Sequence, residues 1–142
     1  MRALGVALLL VWGWAQEGRA EQLKSLRIAL ITEALELTPE EAQTFWPVYN
    51  AREAALQKHR EAIHQQFLRL RAEKSTLGSQ AYADSVSALY FRLWEGEAAI
   101  RRGYHERLLK VLPAEKVARL YVTELRMLRR ALGEGKPPHH PR

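Results

Sequence analysis

From Glu21 onward, glycine and proline, the residues that interrupt helices, fall mostly at the ends of long apolar-periodic segments. That placement constrains the fold more than any other feature. From Glu21 to Leu132 apolar residues recur every three and four positions, which puts them on one face of a helix. A first helix is expected over Glu21–Leu37, with Leu23, Leu26, Leu30, Ala34 and Leu37 on its stripe and Ile31 and Leu35 widening it. A second begins at Thr38-Pro39. Its seam runs Ala42, Phe45, Tyr49, Arg52, Leu56 and His59, then Ile63, Phe67, Leu70, Lys74 and Leu77. Pro47, in its third turn, removes one backbone hydrogen bond and predicts a kink. Ser75–Gln80, with Gly78, is the clear interior break. The third helix, from about Gln80 to Leu112, carries Tyr82, Val86, Leu89, Leu93, Gly96, Ile100, Tyr104, Leu108 and Val111. A fourth runs from Pro113 to about Leu132, with Val117, Leu120, Tyr121, Glu124, Leu128 and Ala131 inward. Arg126, Arg129 and Arg130 suit the negative end of its dipole, and Gly133 stops it. Residues 133–142 read as a disordered tail. The expected fold is all-α: a four-helix antiparallel bundle dominated by a long kinked hairpin, each arm roughly 50 Å long at ~1.5 Å per residue.

The start of the second helix carries a motif. Thr38 is a suitable N-cap, Pro39 occupies the first helical position, and Glu41 can close a capping box. The stretch Leu37-Thr38-Pro39-Glu40 with Glu41, followed by Phe45-Trp46-Pro47-Val48-Tyr49-Asn50, resembles the LTxxQ motif of the Spy/CpxP-like family. Glu41 stands where that motif has Gln, and Gln43 lies two residues on. The closest likeness is to the branch labelled sensor of ECF-type sigma factor, or periplasmic heavy-metal sensor. A weaker echo occurs at Leu112–Val117, where Leu120-Tyr121 matches Phe45-Trp46. The resemblance implies a small helical periplasmic protein that forms a cradle-like antiparallel homodimer. The family contains both chaperones and sensors, so likeness alone does not choose between them.

The N-terminus reads as an export signal. Arg2 precedes an apolar run from Leu4 to Ala15, followed by the small-x-small sites Gly13-Trp14-Ala15 and Gly18-Arg19-Ala20. Cleavage after Ala15 or Ala20 is expected. Ala20 is favoured because Gln16–Ala20 supplies a polar region before the cut. The apolar run falls short of the ~20 residues that a membrane-spanning helix needs. Residues 1–20 are thus assigned as a signal peptide and 21–132 as one helical domain. The whole chain carries 22 basic and 16 acidic residues, a net charge of +6; loss of Arg2, Arg19 and Glu17 brings this to +5. Its pI is about 9.9. In an exported protein such charge points away from nucleic acid and toward envelope surfaces, lipid headgroups or exposed segments of other proteins. The chain has no cysteine, which removes disulfides, thiolate metal sites and cysteine catalysis.

No nucleophile–base–orienter set or glycine-rich phosphate loop stands out, so no enzyme activity is expected. The candidate metal unit is Glu61-x-x-His64, with His59, His105 and Glu106 nearby. Di-iron bundles need two such units plus two more carboxylates, and one is present. His59 reads instead as a seam residue with a satisfied hydrogen bond and His64 as a solvated one; no metal or cofactor is expected. Adjacent aromatic pairs are more informative. Phe45 with Trp46, Tyr90 with Phe91, and Leu93 with Trp94 cannot all point inward. Basic residues line the same helices, many with acidic neighbours one turn away, such as Glu97 with Arg101. Apolar side chains beside arginines suit weak capture of unfolded chains. The candidates are Phe91, Trp94, Arg52, Arg60, Arg101 and Arg102. The expected function is an exported, ATP-independent chaperone-like protein acting in envelope stress. The alternative is a stress or heavy-metal sensor contacting a membrane-bound regulator, and a membrane-surface role comes third.

Overall fold

The computed structural model describes residues 4–131 and 133, with side chains at 18, 19, 21–131 and 133. The described residues are helix and turn without a strand, so the chain is all-α. Five helices follow one another: α1 (Leu4–Leu35), α2 (Pro39–Ala72), α3 (Lys74–Leu77), α4 (Ser79–Val111) and α5 (Ala114–Ala131). The fifth arises because the interior break holds a turn of helix of its own, α3, closed by Gly78 at a φ of 79°. Only glycine takes that backbone conformation without strain. The first helix also starts earlier than expected, running continuously from Leu4 across Ala20. Among the described residues no helix is long and apolar enough to cross a membrane. The expected tail beyond Gly133 lies outside the described residues.

Two compact units divide the chain. One contains α1 and nearly all of α5; the other is Pro39–Ala114, which holds α2, α3 and α4. In the first unit, α1 ends in a paired turn. Leu37 N–H donates to the Thr32 carbonyl at 3.3 Å and Glu36 N–H to the Glu33 carbonyl at 3.1 Å. Glu36 sits in the left-handed region (φ 49°), the place such a turn usually gives to glycine. Lys116 Nζ donates to the Glu36 carbonyl at 2.9 Å and Arg119 donates to its carboxylate at 3.2 Å, tying the end of α1 to the start of α5.

Burial in this unit corrects the expected stripes. Ile31 and Leu35 are fully buried, whereas Leu23 and Leu26 are exposed. Burial gathers toward the end of α1, next to Glu36, which Lys116 and Arg119 of α5 bond. On α5 the buried row is Val117, Leu120 and Thr123, while Leu128 and Ala131, expected inward, face out. Leu128 lies within about 20° of Val117 at ~100° per residue but eleven residues further along, past the buried row, and Ala131 is the last residue of the helix.

In the second unit, α2 and α4 pack against each other along their length. Arg60 meets Glu97 while Gln66, further along α2, meets Arg92, further back on α4, so the two run antiparallel. Phe45, Tyr49, Arg52, Leu56 and Ile63 are buried on α2, as the seam predicts, and every seam position of α4 is at least half-buried. The α2 seam ends at Leu70. Lys74 and Leu77, placed on it by sequence, belong to α3 and are exposed. Pro47 is accommodated inside α2 without interrupting it. At the far end Leu112, which precedes Pro113, is extended (φ −137°, ψ 151°). The proline ring disfavours a helical predecessor, and this ends α4.

Candidate functional site: the α2–α4 hairpin

A polar layer locks the middle of the hairpin. Arg60 Nε donates to Glu97 Oε1 at 2.6 Å and its terminal nitrogen donates to Oε2 at 2.9 Å, a two-pronged pair. Arg101, one turn after Glu97, adds a bond to Oε2 at 3.3 Å. The hydrogen bond from Arg60 holds the Glu97 carboxyl below the ordinary carboxylate range; burial opposes this and the charges of Arg60 and Arg101 assist it. Arg60 in turn holds its proton more tightly, chiefly through the same bond. Next to Arg60, His59 Nε2 donates to the carbonyl of Leu93, one turn before Glu97, at 3.1 Å. Gly96 makes room for that ring: a Cβ there would lie 2.3 Å from two imidazole atoms. The seam reading of His59 therefore holds, and its partner is the backbone of α4.

Beside this layer is a cavity of about 380 Å³. Ile63, Phe67, Val86, Leu89 and Leu93 give it an apolar wall, with Arg60, His64, Tyr90 and Glu97 also on its lining. Tyr90 belongs both to the cavity and to an outward aromatic row. Tyr90, Phe91 and Trp94 are 58%, 60% and 55% exposed. The Tyr90 ring meets Phe91 edge-on at 5.6 Å and Trp94 at 6.3 Å. Exposed aromatic groups of this size, clustered on one helix, are unusual on a surface without a partner.

The sequence candidates thus separate. Phe91 and Trp94 are outward and adjacent to Tyr90, which links them to the cavity. Arg52 is corrected: it is 1% exposed, its guanidinium 4.8 Å from the Tyr49 ring centre and bonded to Glu53 at 3.2 Å, so it offers nothing to solvent. It lies on the α2 seam, where its long stem packs as an apolar residue would. Arg60 and Arg101 are held by Glu97, whereas Arg102 is exposed and takes no charge partner among the described residues. The motif residues also part company. Phe45, Trp46 and Tyr49 form one aromatic cluster, with centroids 4.8 Å (Phe45–Trp46) and 5.4 Å (Trp46–Tyr49) apart, while Thr38, Pro39, Glu40, Pro47 and Asn50 are exposed.

Glu61 accepts from Gln65 at 2.7 Å, and His64 lines the cavity. Among the described residues no three histidine, aspartate or glutamate side chains gather as a metal ion would require. Glu97, which the sequence paired with Arg101 alone, has its main partner across the hairpin in Arg60. A cue was present: Arg60 and Glu97 each follow a seam residue, His59 and Gly96, with opposite charge. No protein-family model, curated protein or solved structure matches this chain.

Proposed function

We propose that this chain is an exported, chaperone-like protein that holds unfolded segments of envelope proteins without ATP, in the manner of the Spy/CpxP-like proteins its motif resembles. The observation that carries the reading is the outward row Tyr90, Phe91 and Trp94 on α4. Three large rings exposed on adjacent turns offer apolar area and edge-on geometry to any passing aromatic or branched side chain. Tyr90 continues that surface into the apolar cavity, which would take a single inserted side chain. Arg102, unpaired and nearby in sequence on the same helix, supplies charge for a fast first encounter. In this reading residues 1–20 direct export to the periplasm, and two copies associate as the family resemblance implies.

The test is light scattering from a chemically unfolded client, with the wild-type chain and a Phe91→Ala/Trp94→Ala variant. Suppression at near-stoichiometric ratios by the wild type, lost in the variant with helix content unchanged, supports the reading. Absence of suppression at several-fold excess overturns it and turns attention to a membrane-bound regulator as the partner of the same face.

A further inference from the structure

The outer face of α5 carries a second exposed apolar row, on the other compact unit. Val122, Leu125 and Leu128 are 46%, 62% and 56% exposed. Their spacing of three puts them on one arc, turned away from the buried Leu120 and Thr123 and reaching round to the side of Val117. Arg126 follows Val122 by four and Arg129 follows Leu125 by four, so guanidinium groups are interleaved with the apolar side chains on that arc; Arg130 adds a third beside Arg126. All three arginines are exposed, and none takes a charge partner among the described residues, in contrast to Arg60 and Arg101. The single carboxylate between residues 122 and 131 is Glu124, which is half-buried.

We infer that the last turns of α5 seat on an anionic phospholipid surface. The arc combines three apolar side chains of the right size to enter the headgroup boundary with three cations whose long stems can lie along apolar surface while their heads reach phosphate. A lipid surface satisfies both halves together and asks for no fixed shape in its partner, whereas an acidic protein would have to interleave carboxylates with apolar pockets at the same pitch. The beginning of α5 does not share this character, since Lys116 and Arg119 are occupied with Glu36. The inference does not rest on the chaperone reading, which uses a different helix.

The experiment is co-sedimentation of the full chain with vesicles of phosphatidylcholine alone and of phosphatidylcholine mixed equally with phosphatidylglycerol, at low salt. Wild type is expected to prefer the anionic vesicles strongly. An Arg126→Gln/Arg129→Gln/Arg130→Gln variant should lose roughly a hundred-fold in affinity, from about five-fold for each arginine near a charged bilayer. A Leu125→Gln/Leu128→Gln variant should lose at least about ten-fold on the same vesicles. If that variant loses helix, the arginine variant, altered only at exposed positions, still decides. Equal binding by all three chains, as would follow if the apolar run Leu4–Ala15 did the work, overturns the inference. Equal binding to neutral and anionic vesicles also overturns it.

Discussion

The chain contains two aromatic triads of identical composition and opposite fate. Phe45, Trp46 and Tyr49 on α2 pack edge to face; Phe45 is fully buried and Tyr49 nearly so. Tyr90, Phe91 and Trp94 on α4 touch one another but stand more than half exposed. The difference is one of register. Phe45 and Tyr49 are four apart and lie on the seam of α2, with Arg52 packed over the Tyr49 ring. Tyr90 and Trp94 each follow a seam residue, Leu89 and Leu93, and Phe91 lies two residues from both, so all three are carried past the packed face. Aromatic content therefore says nothing about a site until the helix register is known. The polar layer of His59, Gly96, Arg60 and Glu97 holds that register.

The widest separation between the triads should appear on removing one phenylalanine from each. Phe45→Ala is expected to destabilise by roughly 3–5 kcal/mol, the usual effect of emptying a buried aromatic site, whereas Phe91→Ala should change stability by less than about 0.5 kcal/mol. Denaturant unfolding of the two variants measures both, and similar losses would dissolve the distinction. Next comes the register layer. Gly96→Ala forces a methyl into the His59 ring and should lose about 1–3 kcal/mol, less the ~1 kcal/mol that alanine gains over glycine in a helix. His59→Ala combined with Gly96→Ala should recover most of that loss; a double variant as weak as the single would mean that the ring is not the obstacle.

Glu97→Gln is expected to lose about 1–2 kcal/mol at neutral pH by weakening a charge-assisted pair. Its pH dependence has a definite sign. The folded state holds the Glu97 carboxyl below its ordinary value of roughly 4.3, so its contribution is complete above that pH and is lost as pH falls through the depressed folded value. The melting-temperature gap between wild type and Glu97→Gln should accordingly be widest near neutrality and close in acid. A gap that persists in acid would assign the effect to packing. The smallest effect belongs to the turn that leads the chain toward the buried triad. Glu36→Gly relieves a left-handed non-glycine residue, worth ~1–2 kcal/mol, but surrenders the exposed pair with Arg119 and adds backbone freedom to the unfolded chain. A net gain near 0.5 kcal/mol is expected from thermal unfolding, and a loss would show that the Arg119 contact outweighs the strain.

Periodicity, glycine and proline by themselves determined the helical class, the hairpin of α2 and α4, the break at Gly78 and the end of α4 before Pro113. Each of these follows from local rules: spacing sets a face, glycine permits a positive φ, and proline restricts its predecessor. The seam of α4 was legible to the residue, and so was the surplus of aromatic groups that could not all turn inward. Which side chains of α1 and α5 are buried was not legible, because both helices carry apolar residues around much of their circumference and only the partner selects among them. Arg52, a seam position also offered as a client contact, is buried; Glu97, paired by sequence with Arg101, is the centre of the lock; Leu128 looked inward and faces out. The outcome at Glu97 depends on Arg60, which a second helix, remote in sequence, places opposite it. That tertiary choice, made by the packing of α2 on α4, decided which aromatics and which arginines of the hairpin remain exposed.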